Sequence, residues 1–240
     1  MRKYFWMLAV LPLFLGSCRH FWGKTVRGNG HIKTETRSVN SFKSVSASGA
    51  TNVYISQGDE HSVKIEGDEN LLPYIEVTQE GDRILVRDRP GFNLRSTGDI
   101  RVYVTAPVFN SIETSGACDI VAQNKITNPE ELELKVSGVG DIKMELDAPK
   151  VRTDISGTGS VDLKGQTKDI EITLSGVGHA HCFDLLAENA SVNISGAGSA
   201  DIFASIKLDA EVSGVGSVNY KGNAQVSEHV SGAGSVSKVN

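Results

Sequence analysis

The sequence predicts an all-β protein built as a parallel β-helix, with coils of about 18–22 residues and a strand-rich N-terminal insertion or cap. Three observations support this prediction. The tetrapeptide Ser-Gly-x-Gly occurs six times in the second half of the chain, at intervals of 18 to 20 residues. Apolar and polar residues alternate on both sides of the copies. No proline follows Pro149, as expected where every backbone amide joins a ladder.

Each copy of the tetrapeptide has the same surroundings. The residue before the serine is always aliphatic, and positions five and seven after it are mostly apolar with a polar residue between them. Because this alternation is typical of strands with one buried face, each unit is predicted to be a strand, a corner, a second strand and a turn. The corner residues of the six copies are Ser137, Gly138, Gly140, Ser156, Gly157, Gly159, Ser175, Gly176, Gly178, Ser195, Gly196, Gly198, Ser213, Gly214, Gly216, Ser231, Gly232 and Gly234.

The composition of the corner predicts a structural role. We expect its glycines to adopt the positive φ angles that a sharp bend requires, since residues with a Cβ avoid them. We expect the serine hydroxyls to bond to nearby backbone, because no histidine accompanies them as a base for nucleophilic chemistry. The repeated motif is therefore predicted to build the scaffold rather than to carry catalysis.

The N-terminal half contains two further copies of the corner. Phe42-x-x-Val45-x-x-Ser48-Gly49-Ala50 and Phe109-x-x-Ile112-x-x-Ser115-Gly116-Ala117 match each other and predict two more rungs. Between them lie hairpin-like strands and a brief helical turn over 68–73. The predicted organisation is an N-terminal β region over 28–108, with the first rung and an insertion, followed by regular repeats over 109–240. At the C-terminal end, Glu228 and Lys238 occupy slots that are apolar in most other coils, which predicts a charged end cap.

The first residues predict export and a lipid anchor. A basic start and a short apolar run are typical of a secretory signal, and Leu15-Gly16-Ser17-Cys18 resembles a bacterial lipobox. We therefore predict a signal peptide over 1–17, lipidation of Cys18 and a linker over 18–27. The alternative is an ordinary signal peptide with a chance cysteine. Arg19 in place of an aspartate favours the outer membrane, while the lack of an acidic run after Cys18 leaves the face of that membrane undecided.

Charge and cysteine content restrict the partners and the chemistry. The formal net charge is −5 and no basic block is present, so nucleic acid is not expected as a partner, and no cofactor is predicted. In the repeat register, Cys118 and Cys182 lie about 14 Å apart along the axis, too far for a disulfide. We expect Cys182 to be a core residue and Cys118 to be a partly exposed thiol.

Two sets of outward residues are candidates for metal chemistry. Asp162, His181 and Asp201 lie six residues after their own serines and are expected to stack on one face, where they could hold a divalent metal. The favoured interpretation is a solvated charge ladder, with no metal. Asp119 and Asp141 form a second, weaker pair of acids on adjacent coils, of a kind that could bind calcium in a polysaccharide-cleaving enzyme.

Four short motifs resemble those of a known family. They are Gly28-Asn29-Gly30-x-Ile32, Phe42-x-x-Val45, Glu69-Asn70-Leu71-Leu72 and Val104-Thr105-Ala106-Pro107. Together with the Ser-Gly-x-Gly ladder, they resemble the bacterial head-GIN domain proteins, described as autotransporter-type adhesins and common as lipoproteins in Bacteroidetes. The resemblance covers about residues 28–237. It implies a right-handed single-stranded β-helix and offers no catalytic residues to transfer.

The resulting functional hypothesis is a lipid-anchored, non-catalytic adhesin-like module of the cell envelope. Its expected partners are the membrane, through Cys18, and a polar ligand that is a glycan or a surface protein. A structural or envelope-maintenance lipoprotein facing the periplasm is the first alternative. A carbohydrate-active enzyme is the second and less favoured one.

Overall fold

The computed structural model of the protein describes residues 23–239, so the predicted signal peptide and Cys18 lie outside the described residues. Twenty strands and one short 3-10 helix, Leu72–Tyr74, make up the fold. The strands are β1 Lys24–Arg27, β2 Ile32–Arg37, β3 Ser44–Ser48, β4 Asn52–Gln57, β5 Ser62–Asp68, β6 Ile75–Glu80, β7 Arg83–Asp88, β8 Phe92–Arg95, β9 Arg101–Ala106, β10 Ser111–Thr114, β11 Ile120–Ala122, β12 Ile126–Thr127, β13 Glu131–Val136, β14 Ile142–Ile155, β15 Ser160–Leu174, β16 His179–Ile194, β17 Ser199–Val212, β18 Ser217–Lys221, β19 Gln225–Val230 and β20 Ser235–Lys238.

The strands stack as a parallel β-solenoid of about 7 turns with coils about 19 residues apart, which confirms the predicted fold. Strands β14 to β17 each run from one corner to the next, so their first halves form a post-corner ladder and their second halves a pre-corner ladder. Equivalent residues lie in register: Ile142 pairs with Val161, and Val161 pairs with Ala180. The repeat read from the sequence is thus the repeat of the coil.

The core is the narrow space between the two ladders. Along most of β13 to β17, alternate residues point inward and are buried, as with Leu163, Ile172 and Leu174 of β15. Each such aliphatic side chain contributes about 1.5–3 kcal/mol by leaving water. Because the inward positions of successive coils stack on one another, one continuous hydrophobic column supports the whole solenoid.

The corner glycines are required for a reason that the sequence did not reveal. None of the glycines in the six Ser-Gly-x-Gly corners has a positive φ, so that prediction is wrong. Instead, a Cβ on Gly157 would lie 2.0 Å from the carbonyl oxygen of Gly138 in the preceding coil, and Gly176 has the same relation to Gly157. Successive coils come into backbone-to-backbone contact at the corner, where a side chain has no room.

The corner serines act mainly through their backbone. The amide of Ser156 donates to Val136 O at 2.9 Å, and the amide of Ser175 donates to Ile155 O at 2.9 Å, one coil below in each case. Their side chains are exposed. A hydroxyl–backbone bond occurs at Ser137, where Oγ donates to Thr114 O at 3.4 Å, but that bond also joins two coils rather than residues of one corner.

The N-terminal region contributes two rungs instead of the single rung predicted. Strand β3 pairs in parallel with β10 on one side and β7 on the other, and β4 likewise lies between β11 and β9. The later segment 83–106 therefore forms the first rung and the earlier segment 44–57 the second. Strand β9 separates β4 from β5, so these two do not form a hairpin, whereas β6 and β7 pair antiparallel as a hairpin should.

Antiparallel strands close the N-terminal end of the solenoid. Strand β2 pairs with β5 and β5 pairs with β9, which extends the post-corner ladder beyond the first rung. Strand β1 pairs with β8 in a separate two-stranded sheet, so residues 24–27 are a strand, although they fall within the predicted linker. The short 3-10 helix Leu72–Tyr74 overlaps the helical turn that the sequence indicated.

A buried carboxylate connects this cap to the segment before β2. Asp68 is fully buried and accepts hydrogen bonds from Gly30 N at 2.7 Å, Thr97 N at 2.9 Å and Thr97 Oγ1 at 2.8 Å. Burial acts to raise the pKa of Asp68, but these hydrogen bonds outweigh it and hold the pKa below its ordinary value. A Cβ on Gly28 would overlap the Asp68 carboxylate, which explains the glycine in that motif.

The C-terminal end of the solenoid is open. In the last described coil, Glu228 lies in register with the buried Ala210, and Lys238 with Tyr220, yet both charged residues are exposed because no other described coil covers them. Val230 on the same coil is 39% exposed. Within 23–239, no helix is long and apolar enough to cross a membrane.

Candidate functional site

Three surfaces of the solenoid carry candidate functional residues. The first is the outward ladder predicted from the sequence. Asp162 pairs in register with His181, His181 with Asp201, and Asp201 with Asn219. His181 Nδ1 lies 3.3 Å from Asp201 Oδ2, and Asn219 Nδ2 donates to Asp201 Oδ1 at 2.9 Å. Among residues 23–239 no group of three His, Cys, Asp or Glu is placed to hold a metal ion, and His181, Asp201 and Asn219 form a hydrogen-bonded chain. The metal site at Asp162, His181 and Asp201 stays a prediction.

A second outward ladder runs beside it and contains the two acids proposed as a pair. Asp119 Oδ1 accepts the backbone amide of Asp141 at 3.0 Å, and Asp141 Oδ1 accepts the amide of Ser160 at 2.9 Å and its hydroxyl at 2.7 Å. Each carboxylate therefore bonds to the next coil instead of facing its neighbour across a shared ion. Both acids are explained as structural links between coils.

The same ladder continues to an exposed histidine. Ser160 pairs in register with His179, whose Nδ1 lies 2.7 Å from Ser199 Oγ. The His179 ring stacks on His181, with centroids 5.8 Å apart and an interplanar angle of 12°. The two outward ladders thus meet in a pair of exposed imidazoles.

The sequence predicts a buried Cys182 and a partly exposed Cys118, but both cysteines are buried in the structure. Cys182 is fully buried and unpaired with Cys118, as predicted. Cys118 is also fully buried, so the expectation of a partly exposed thiol is wrong. Its side chain lies inside the corner beside Thr114, whose Oγ1 donates to Cys118 O at 2.7 Å. Burial raises the pKa of Cys118 to about 12, and burial raises the pKa of Cys182 as well.

The second surface is an apolar ridge that the sequence reasoning missed. The variable residue of the corner tetrapeptide points outward, and Val139, Val177 and Val215 are 69%, 57% and 67% exposed. These valines lie along one edge of the solenoid, on alternate coils. The signal in the sequence is the third position of the tetrapeptide, which is valine in three of the six copies.

The third surface is an open groove where the post-corner ladder bends into the pre-corner ladder, with a volume of about 410 Å³. We call it the bend groove and define it by Asp147, Gln166, Leu186 and Phe203, which line it on four consecutive coils. These four residues are register partners in turn, from β14 to β17. This column of four is therefore polar on its first two coils and apolar on the next two, and Lys168 and Glu188 add one charge of each sign to the rest of the lining.

The polar half of the bend groove is held in place by hydrogen bonds. Asp147 Oδ2 accepts from Lys125 Nζ at 3.0 Å and from Gln166 Nε2 at 2.7 Å. The hydrogen bond from Lys125, and then that from Gln166, holds the pKa of Asp147 below its ordinary value. Asp147 is thus a carboxylate at neutral pH, and its position is fixed by two neighbours.

Irregular register creates the apolar half. Between β16 and β17, Cys182 pairs with Ile202 and Leu186 with Phe203, so three residues of β16 oppose none of β17. This bulge brings out Leu186, which is 54% exposed, next to the half-buried Phe203. Phe183, within the bulge, is covered by the Lys221 ammonium at 4.8 Å from its ring centroid. Bulges of this kind occur often beside functional sites because they redirect side chains.

The bend groove could not be found from the repeat register. Its residues stand 10, 10, 11 and 8 positions after the serines of their own repeats, because the bulges alter the count from coil to coil. An alignment of the repeats on their serines therefore places these four residues at different positions. Only the three-dimensional register brings them together.

These features define a class of protein: a capped parallel β-solenoid that displays side chains on rigid outer ladders and in an open groove. The chain belongs to the family described as "Putative auto-transporter adhesin, head GIN domain", whose model matches residues 41–224. This membership confirms the resemblance carried by the short motifs.

Solved structures share the fold. A putative adhesin from Bacteroides fragilis has 24% identity and a TM-score of 0.85, with 89% of this chain and all of that one covered. A putative lipid binding protein from Parabacteroides distasonis has 20% identity and a TM-score of 0.70 over 90% of this chain and all of that one. A putative adhesin from Parabacteroides merdae has 21% identity and a TM-score of 0.70, over 91% of this chain and all of that one. No curated protein matches the chain.

Proposed function

We propose that the protein is a lipid-anchored, non-catalytic adhesin-like module of the outer membrane that binds a polar ligand, either a glycan or a surface protein. The observation that carries the proposal is the display of polar side chains on rigid ladders, together with a groove that is open to solvent. Backbone hydrogen bonds between coils fix the positions of these side chains, so little entropy is lost when a ligand orders them. Membership of a family described as adhesins supports the same conclusion.

The geometry of the cap is consistent with an anchor at Cys18. Strand β1 begins at Lys24 and lies at the capped end, where Gly28 N donates to Arg95 O at 2.8 Å. A lipid on Cys18 would attach this end to the membrane. With about 7 turns at a rise of about 4.8 Å per coil, the open end would extend roughly 30 Å from the cap. The outer ladders and the bend groove would then remain free for a ligand.

The arrangement of acids and histidines supports binding rather than catalysis. Three acids of the outer ladders, Asp119, Asp141 and Asp201, bond to backbone amides or to neighbouring polar side chains. A glycosidase needs two carboxyl groups facing each other across a substrate bond, about 5–9.5 Å apart. The carboxylates of these three acids join coils along the axis instead of flanking a cleft.

Labelling, fractionation and protease treatment test the proposal. Metabolic labelling with a palmitate analogue should mark the wild-type protein and not Cys18→Ser, and the wild-type protein should fractionate with the outer membrane. Protease treatment of intact cells should then degrade the protein if it faces outward. Labelled protein protected in intact cells and degraded after lysis would contradict the adhesin role and favour the periplasmic structural role. Cleavage of a bound glycan by the purified protein would favour the alternative of a carbohydrate-active enzyme.

A further inference from the structure

We infer that the bend groove is a binding subsite for an uncharged pyranose chain lying along the solenoid axis. This inference rests on the proposed binding function and names both its ligand class and its site. A pyranose ring has a face of C–H groups and a rim of hydroxyls, so a site for it needs an apolar platform beside hydrogen-bonding groups. The bend groove provides these two parts on adjacent coils.

The apolar half supplies the platform. Leu186 and Phe203 are register partners on β16 and β17, so their side chains lie side by side on the groove surface. Leu186 is 54% exposed and Phe203 is half-buried, which leaves apolar surface for a ligand to cover. The following coil places Lys221 in register with Phe203, which closes this end of the platform with a charge.

The polar half supplies acceptors for hydroxyl groups. Both hydrogen bonds that the described residues make to the Asp147 carboxylate end on Oδ2, and Gln166 uses Nε2 in one of them. Asp147 Oδ1 and Gln166 Oε1 therefore keep their lone pairs for a ligand. A ligand that donates several hydrogen bonds, as a sugar does, matches this pair.

Other ligand classes fit the bend groove less well. The charges around the groove are balanced, because Asp147 is paired with Lys125 and the lining holds one further charge of each sign, so an anionic polymer gains no net attraction. An acyl chain would bury that carboxylate without offering it a hydrogen bond, which is costly. An extended peptide added as a strand needs a free sheet edge, whereas β14, β15, β16 and β17 are each paired on both sides in the described structure.

The dimensions agree with a short oligosaccharide. Adjacent coils are about 4.8 Å apart, so Asp147 and Phe203 are separated by three steps, or about 14 Å. A ligand that contacts both ends must be a chain rather than a single sugar. We therefore expect oligosaccharides to bind more tightly than the monosaccharides from which they are built.

The test uses the purified full chain, held in a sugar-free detergent, on an array of neutral and acidic glycans. Affinities for the best neutral oligosaccharide on the array are then measured by calorimetry. Phe203→Ala should weaken binding about tenfold, as expected for an aromatic anchor. Leu186→Ala, which removes an exposed side chain and spares the core, and the double variant Asp147→Ala/Gln166→Ala should each weaken it by at least about fivefold.

Two control variants keep the outcome interpretable. Val215→Ala removes an exposed valine on the corner ridge, and Glu60→Ala removes an exposed acid in a turn near the cap. Both should leave the affinity unchanged. Thermal melting of every variant within about 3 °C of wild type would show that the fold is retained, since one kcal/mol corresponds to about 2–4 °C for a domain of this size.

The possible failures are distinguishable. Neutral-glycan binding that all groove variants retain would overturn the groove assignment and leave the proposed function standing. Loss of binding in Phe203→Ala and Leu186→Ala but not in Asp147→Ala/Gln166→Ala, with binding to phosphatidylethanolamine vesicles, would indicate an acyl chain and overturn the inference. Binding to acidic glycans alone, or to no glycan while the protein still adheres to whole cells, would also overturn it without affecting the adhesin role.

Discussion

Replacing a single corner glycine by alanine should strongly destabilise the solenoid. In Gly157→Ala the new Cβ would lie 2.0 Å from Gly138 O and 2.9 Å from both Gly138 C and Gly138 N. Carbon atoms do not approach a carbonyl oxygen so closely, and the neighbour is backbone, which cannot rotate away. The two coils would have to separate by about 1 Å at a corner where the normal spacing is about 4.8 Å.

The cost can be worked from these contacts. Overpacking a rigid site costs about 1–3 kcal/mol and sometimes more, and a backbone neighbour places this site at the upper end. Separation also weakens the bond from Thr158 N to Gly138 O, now 2.9 Å, at a net cost of about 1 kcal/mol. The sum, about 4 kcal/mol, corresponds to a decrease in Tm of roughly 8–16 °C.

Thermal unfolding followed by far-ultraviolet circular dichroism measures this effect. Gly98→Ala is the matched control, because a Cβ at Gly98 meets no atom within 4 Å and its φ is not positive, so its Tm should stay equal or rise slightly. Gly232→Ala in the last described coil has the same overlap, with Gly214 O, but no described coil is stacked above it, so its loss of Tm should be smaller. A Gly157→Ala protein that melts within 2 °C of wild type would refute the explanation by close stacking.

Three further predictions concern the cap, the core and the open end. Because the folded-state pKa of Asp68 is lowered, its stabilisation is present above the unfolded value of about 3.9 and is lost as pH falls through the folded value. Asp68→Asn should therefore lower the free energy of unfolding at pH 7 by roughly 1.5–3 kcal/mol, the contribution of charged hydrogen bonds, and lower the Tm with it. The gap between the two proteins should narrow when the pH is lowered to about 2. An equal gap at both pH values would contradict this assignment. Cys118 and Cys182 should react with iodoacetamide at pH 8 more than about a hundredfold slower than free cysteine, as mass spectrometry can measure, and should react readily in guanidinium; rapid labelling of the native protein would show that the burial is wrong. Glu228→Val should promote self-association through the exposed last coil, detectable by analytical ultracentrifugation, whereas Glu228→Gln should remain closer to wild type; an unchanged sedimentation profile for Glu228→Val would show that this charge does not protect the edge.

The regular part of the fold could be predicted because its determinants are local. Each coil repeats the same alternation around Val136, Ile155 and Leu174, and like residues stack on like. The outward ladder of Asp162, His181 and Asp201 followed from the same register, and the structure places these residues as expected. The separation of Cys118 from Cys182 also followed, since it depends only on the number of coils between them.

The errors arose where distant parts of the chain meet. The order of the N-terminal rungs depends on β7 and β9 returning beneath β3 and β4, which no local pattern records. The burial of Cys118 depends on the coils that enclose its corner. The bend groove depends on bulges that shift Leu186 and Phe203 away from the common repeat offset.

The sequence by itself determined the coil, its register and its corners, because a period-2 pattern and a glycine-rich tetrapeptide act over a few residues and repeat with each turn. Only the tertiary structure decided why those glycines are needed, since the close approach of Gly157 to Gly138 is a contact between coils rather than a backbone angle within one. It likewise decided which outward residues share a surface. Side chains on four coils become neighbours through stacking at about 4.8 Å, a distance that sequence separation does not encode.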